Sequence, residues 1–148
     1  MNSKTLRETL PGTWQLVSRE DRDRRGQLVD EPSLGRDPVA LLYYDRAGHF
    51  AAQFMKRDRR GPSADPVAAG PNNSRSQGGY DAYFGSYEIN ERDGTVTQRL
   101  LGALSQENVG LVVTRTMQVE GDTLTITLET TGANREPVTR TLIWRRVG

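Results

Sequence analysis

Cysteine is absent from this 148-residue chain, and histidine occurs once, at position 49. The first absence removes disulfides, thiolate nucleophiles and sulfur-bound zinc, and it suits a reducing compartment such as the cytoplasm. The second rules out a multi-histidine metal centre. No local cluster of carboxylates stands in for one, so neither a metal nor another cofactor is expected. Charge of one sign is also lacking: 20 Lys and Arg against 19 Asp and Glu leave a net charge of +1, which carries no nucleic-acid footprint. No stretch approaches the roughly 20 apolar residues of a membrane span. The polar start from Met1 to Leu10 has no apolar run that reads as a secretion signal. There is no Walker loop, no Gly-x-Gly-x-x-Gly after a strand and no Gly-x-Ser-x-Gly elbow. Any chemistry must therefore rest on a few polar groups in apolar surroundings.

The chain reads as one domain over residues 1–148, long enough to bury roughly two-thirds of its unfolded surface. Hydrophobic residues make up 34% and the mean hydropathy is −0.68, low for a dense core and typical of half-buried, alternating strands. Its two tryptophans sit near opposite ends, in Thr13-Trp14-Gln15-Leu16-Val17 and Leu142-Ile143-Trp144-Arg145-Arg146. Large apolar residues on the first and last strands predict that those strands meet in one core, which is a barrel arrangement. Ser3 to Leu10 is expected to form a short helix with Ser3 as N-cap and Pro11-Gly12 ending it, Leu6 and Leu10 plugging one barrel end. Pro38 to Tyr44 and His49 to Met55 form a hairpin about the loop Asp45-Arg46-Ala47-Gly48. Further strands follow over Tyr83 to Asn90, Thr95 to Leu104, Leu111 to Val119, Thr123 to Thr130 and Val138 to Val147. Between them, Asp21 to Gly26 reads as a charged turn, and residues 56–82 as a long loop with a partial helix begun by Asn73. The sum is an all-β, antiparallel up-and-down barrel of about eight to ten strands.

The candidate chemistry lies in aromatic hydroxyls and one inward cation. Tyr44, Tyr83 and Tyr87 join an apolar ring to a hydroxyl that needs a partner when buried. Tyr83 and Tyr87 share a face, with Gly85 between them leaving room beside the backbone. Asp81 and Glu88 are the nearest carboxylates to this segment; orienting a tyrosine or taking a proton is their functional reading, and a solvated carboxylate is the commoner outcome. Arg115 lies between Val113 and Met117 on an otherwise apolar face. An inward arginine needs a partner; the ring of Trp14 is one possibility and an anionic ligand group another. His49 is the only side chain that titrates near neutrality unperturbed. Strand parity turns it outward if Tyr44, Phe50, Ala52 and Phe54 face in, and general acid-base work is its functional reading. Leu42, Phe50, Phe54, Met117, Leu124 and Ile126 are expected to line the interior. Gln53 and Gln98 are candidates whose parity is open. Arg145 and Arg146 are adjacent, so only one can help to close the barrel. The basic cluster from Lys56 to Arg60 is interleaved with Asp58 and reads as a solvated loop.

With these pieces in place, the chain resembles the bacterial and fungal lipocalin-like domain family, small stand-alone relatives within the calycin barrels. The resemblance rests on Leu10-Pro11-Gly12-Thr13-Trp14-Gln15-Leu16-Val17, Leu42-Tyr43-Tyr44 through Gly48-His49-Phe50-Ala51-Ala52-Gln53, and Ala82-Tyr83-Phe84-Gly85-Ser86-Tyr87. It continues in Gly94-Thr95-Val96-Thr97, Gly121-Asp122-x-Leu124 and Leu142-x-Trp144-Arg145-Arg146. It implies a barrel with an internal cavity for a hydrophobic small molecule. It also implies structural roles for Gly12, Trp14, Trp144 and Arg146, the tryptophans filling one end while the chemistry lies at the other. Three functions stay open: a cofactor-free cyclase or isomerase of natural-product metabolism, a non-catalytic carrier, and a packed barrel acting through its surface. Neither nucleic acid nor membrane is an expected partner, and the oligomeric state is open, a dimer included. The chain departs from the family pattern at Leu101 and Ala103, where relatives tend to carry an acidic and a hydroxyl residue, and at Ser105-Gln106-Glu107-Asn108. These departures predict a more apolar cavity.

Overall fold

A computed structural model describes residues 4–60 and 70–148. Nine strands run in chain order among these residues: β1 (Gly12–Arg22), β2 (Leu28–Val29), β3 (Val39–Tyr44), β4 (His49–Met55), β5 (Tyr80–Asn90), β6 (Thr95–Ala103), β7 (Val112–Glu120), β8 (Thr123–Thr131) and β9 (Pro137–Arg146). Every pairing is antiparallel, and β1 pairs with both β3 and β9. The sheet therefore closes on itself as an eight-stranded up-and-down barrel, with β2 as an additional strand beyond it. Period-2 alternation produces this closure. Ala40, Leu42 and Tyr44, Phe50, Ala52 and Phe54, and Leu124, Ile126 and Leu128 all point inward, while their neighbours meet water.

One end of the barrel is plugged. The helix α1 (Leu6–Thr9) is capped by Thr5, whose hydroxyl accepts the Glu8 amide; Ser3, the expected cap, lies outside the described residues. Leu6 and Leu10 are buried beneath it. The carboxylate of Glu91, in the β5–β6 turn, accepts the free amides of Leu6 and Arg7 at 2.8 and 3.1 Å, meeting the helix's unsatisfied N-terminal donors. Trp14 donates to the Leu10 carbonyl at 2.9 Å, and the Arg146 guanidinium lies 4.3 Å from the centroid of its ring. Arg146 also donates to the carbonyls of Pro11 and Thr9. Gly12 is obligatory here: its φ is +145°, and an added Cβ would stand 2.4 Å from Arg146 Nη1. The cation over Trp14 is thus Arg146, not Arg115.

Two bulges re-aim the strands. In β1 the register against β9 shifts between Leu16 and Ser18, so Val17 is the extra residue and projects into solvent. Beyond it the parity reverses, and Arg19 and Asp21 turn inward. The strand continues to Arg22 instead of turning at Asp21, because Asp21 sits opposite Arg140 in the β1–β9 ladder and is neutralised there. In β6 the extra residue is Leu101, which is exposed. The space beside Gly85 is occupied by this bulge: a Cβ there would fall 1.8 Å from the Arg99 carbonyl oxygen. Gly85 therefore admits a neighbouring backbone and opens no room for a ligand.

The connection between β4 and β5 differs from expectation at its described C-terminal end. Residues 70–79 form turns with no helix, Gly78 and Gly79 take positive φ, and β5 already begins at Tyr80. Asn73 accepts from the Ser74 amide and from Arg140, and caps nothing. No helix of the described residues is long and apolar enough to cross a membrane.

Candidate functional site: the interior cavity

Opposite the plugged end, the barrel interior opens into a cavity of about 610 Å³. This lies within the usual range of ligand pockets, roughly 300–1,000 Å³. Leu42 of β3, Phe54 of β4, Ile126 of β8, and Leu142 and Trp144 of β9 supply an apolar wall. Phe54 meets Trp144 edge-on at 5.7 Å and stacks on Tyr83 at 6.4 Å. Trp144 therefore forms part of the cavity wall and does not fill the plugged end with Trp14. Its indole N–H is buried and has no hydrogen-bond partner among the described residues.

Residues 70–77 cross the mouth and are stitched down along their length. Asn72 exchanges two bonds with the Thr114 backbone, at 2.9 and 3.1 Å, as a neighbouring strand would. The Thr130 hydroxyl donates to the Pro71 carbonyl at 2.6 Å. Ser105 and Asn108 both donate to the Arg75 carbonyl at 3.1 Å, and Asn108 accepts from the Arg75 amide. Ser105 and Asn108, both buried, thus clasp this strap.

The polar part of the wall contains three buried arginines on three strands. Arg140 of β9 makes a two-pronged ion pair with Asp21, Nε to Oδ1 at 2.7 Å and Nη2 to Oδ2 at 3.0 Å. Arg19 of β1 bonds Glu31 at 3.0 Å, and Glu31 also accepts the amide and hydroxyl of Ser33. Burial opposes ionisation of Glu31, but Arg19 and the two Ser33 bonds outweigh it and hold the carboxyl below its ordinary value. Burial likewise pushes Arg19 down, helped by Arg140 and opposed by Glu31. Arg115 of β7 is different. It is 7% exposed, and its Nη1 donates to the carbonyls of Asn72 and Thr114 at 2.8 and 3.2 Å. Among the described residues it has no carboxylate partner.

Two tyrosines share this wall. The Tyr44 hydroxyl accepts from Gln98 Nε2 at 2.5 Å and points its own proton at the Met117 sulfur, 3.9 Å away. Burial raises its pKa far above the ordinary value, so it is a neutral donor at any physiological pH. Tyr83 is pushed up to about 12, by burial first and then by the nearby Asp81. Asp81 itself is buried. Its Oδ2 accepts the Ser74 hydroxyl at 2.6 Å, while Oδ1 has no partner among the described residues. Burial lifts this carboxyl to about 6, against the pull of Ser74, the Ala82 amide and Arg19.

Of the residues singled out from sequence, Tyr44, Tyr83, Arg115, Leu42, Phe54, Gln98 and Ile126 line the cavity. Phe50, Met117, Leu124 and Tyr87 are buried but lie off its wall; Tyr87 donates to the Asp45 carbonyl at 2.5 Å, toward the plugged end. Gln53 and His49 are on the outer surface. His49 bonds Asp45 at 3.0 Å with its side chain 65% exposed, which removes it from any chemistry inside the barrel. Parity decides these positions, since both alternate with the inward Phe50, Ala52 and Phe54. Asp81, the carboxylate nearest the tyrosine segment, is buried in the wall and not solvated, and three other cavity groups escaped the sequence reading. Arg140 was detectable, since it shares a face with Val138, Leu142 and Trp144. Arg19 was hidden by the bulge, and Ser74 by its irregular loop.

A closed antiparallel barrel with one plugged end and an interior cavity is the architecture of small-molecule-binding calycin barrels. The family model of the lipocalin-like domain matches residues 11–147, and the chain belongs to that family. None of the curated proteins compared with it matches.

Proposed function

We propose that this protein binds a hydrophobic small molecule inside its barrel and acts on it as a cofactor-free cyclase or isomerase of natural-product metabolism. The observation that carries the reading is the 610 Å³ cavity, whose apolar wall of Leu42, Phe54, Ile126 and Trp144 faces a cation and two neutral hydroxyls. An interior void of this size also favours an internal ligand over the packed-barrel reading. In such a chamber the apolar wall folds a flexible substrate into a reactive conformer. Arg115, Tyr44 and Tyr83 then stabilise negative charge developing on a carbonyl oxygen, being already oriented and largely shielded from water. Both hydroxyls keep their protons at neutral pH, so they donate and do not act as resting bases.

The test is conversion. Candidate hydrophobic metabolites are incubated with the protein and analysed by mass spectrometry, beside Tyr44→Phe and Tyr83→Phe variants with verified barrel circular dichroism. Loss of one oxyanion donor is expected to lower turnover by about 100-fold or more. Binding without conversion would leave the carrier reading standing. Unchanged turnover in the doubly substituted protein would refute the assignment of the tyrosines.

A further inference from the structure

We propose that the ligand of this cavity is an amphiphile with an acidic oxygen head, a carboxylate or an enolate, that seats on Arg115. The inference deepens the reading above and rests on it: it names the class of molecule that the chamber takes. Its basis is a comparison within one wall. Three guanidinium groups are buried there, and two have a carboxylate of their own, Asp21 for Arg140 and Glu31 for Arg19. The third, Arg115, donates through Nη1 alone, to two backbone carbonyls that carry no net charge. Its Nε and Nη2 make no hydrogen bond within the described residues. A guanidinium this buried is costly to leave without an anion.

Among the described residues, the remaining buried carboxyl in the wall does not fill the role. Asp81 turns its Oδ2 to Ser74 and forms no ion pair with Arg115. Meanwhile the contacts from Asn72 and Thr114 hold Arg115 in place. The two oxygens of a carboxylate or a 1,3-dicarbonyl enolate match the free edge of such a fork. Tyr44 and Tyr83, which line the same cavity as Arg115, provide neutral hydroxyls there. A cationic ligand head is disfavoured by the same inventory, because it would meet the guanidinium of Arg115, while the carboxylates beside Arg19 and Arg140 are already engaged. The body of the ligand would lie along Phe54, Ile126 and Trp144.

Two probe pairs test this by calorimetry at pH 7.5: dodecanoate against methyl dodecanoate, and 2-naphthoate against methyl 2-naphthoate. In the unaltered protein at least one acid should bind, with one-to-one stoichiometry, about 10- to 100-fold more tightly than its ester. Arg115→Met should bring the acid down to the ester's affinity and leave the ester unchanged, while Arg115→Lys should retain part of the preference. If the esters bind as well as the acids, the head-group assignment falls and the binding chamber survives. If neither acid nor ester of either pair binds, both fall. The comparison in the unaltered protein decides the matter even where Arg115→Met does not fold.

Discussion

Replacing Asp81 by Asn should stabilise this protein at neutral pH, and by an amount that shrinks as the solution is acidified. The carboxyl is buried, one oxygen has no partner among the described residues, and its pKa rises from 3.8 to about 6 in the fold. Each pH unit between those values corresponds to about 1.4 kcal/mol. Ionising Asp81 in the folded state therefore costs about 3 kcal/mol, on the order of 6–12 °C in Tm for a domain of this size. The sign follows from proton binding. With the folded pKa raised, the folded state takes up its proton first as pH falls, so the cost is relieved between about 6 and 4 and is carried in full above 6. The amide of Asn keeps an oxygen for the Ser74 hydroxyl and has no charge to bury. Urea unfolding of both proteins at pH 7.5, 6, 5 and 4.5 measures the difference directly, and acid effects at Glu31 and the surface carboxylates cancel in it. The variant should exceed the unaltered protein by about 3 kcal/mol at pH 7.5, and the gap should narrow progressively toward pH 4.5. A gap that is constant across this range would refute the reasoning, because it would show that the carboxyl folds with an ordinary pKa.

Two other perturbations probe the frame that holds the cavity. Arg140→Met leaves Asp21 buried without its two-pronged partner and should cost about 3–5 kcal/mol in chemical denaturation, whereas adding Asp21→Leu to it should recover most of the loss. Gly85→Ala drives a methyl group into the Arg99 carbonyl at the β6 bulge and should destabilise the barrel by about 3 kcal/mol or more; thermal unfolding indistinguishable from the unaltered protein would mean that the bulge is absent in solution.

The barrel and its family were legible in the chain because hydrophobic alternation is a local property. Val113, Arg115 and Met117 share a face whatever else the protein does, and so do Leu124, Ile126 and Leu128. The hairpin at Asp45–Gly48 and the inward turn of Arg115 follow from the same period. So does the outward turn of His49, once Phe50 and Phe54 are recognised as core. The site was only partly legible. Its aliphatic lining, Tyr44, Tyr83 and Arg115 came from parity, whereas Tyr87 has the right parity and the wrong depth, and parity carries no information about depth along a barrel.

What the sequence determined by itself is therefore which faces are apolar and where the chain turns. Tertiary structure decided the electrostatics. An extra residue at Val17 reverses the parity of β1 and carries Arg19 and Asp21 into the interior, where Asp21 meets an arginine 119 positions later in the chain. The strap at residues 70–77 brings Ser74 to Asp81 and the Asn72 carbonyl to Arg115. A bulge and a long connection are settled by what packs across the closed sheet, at separations that local periodicity does not reach. The pairing of two arginines and the isolation of the third come from that closure.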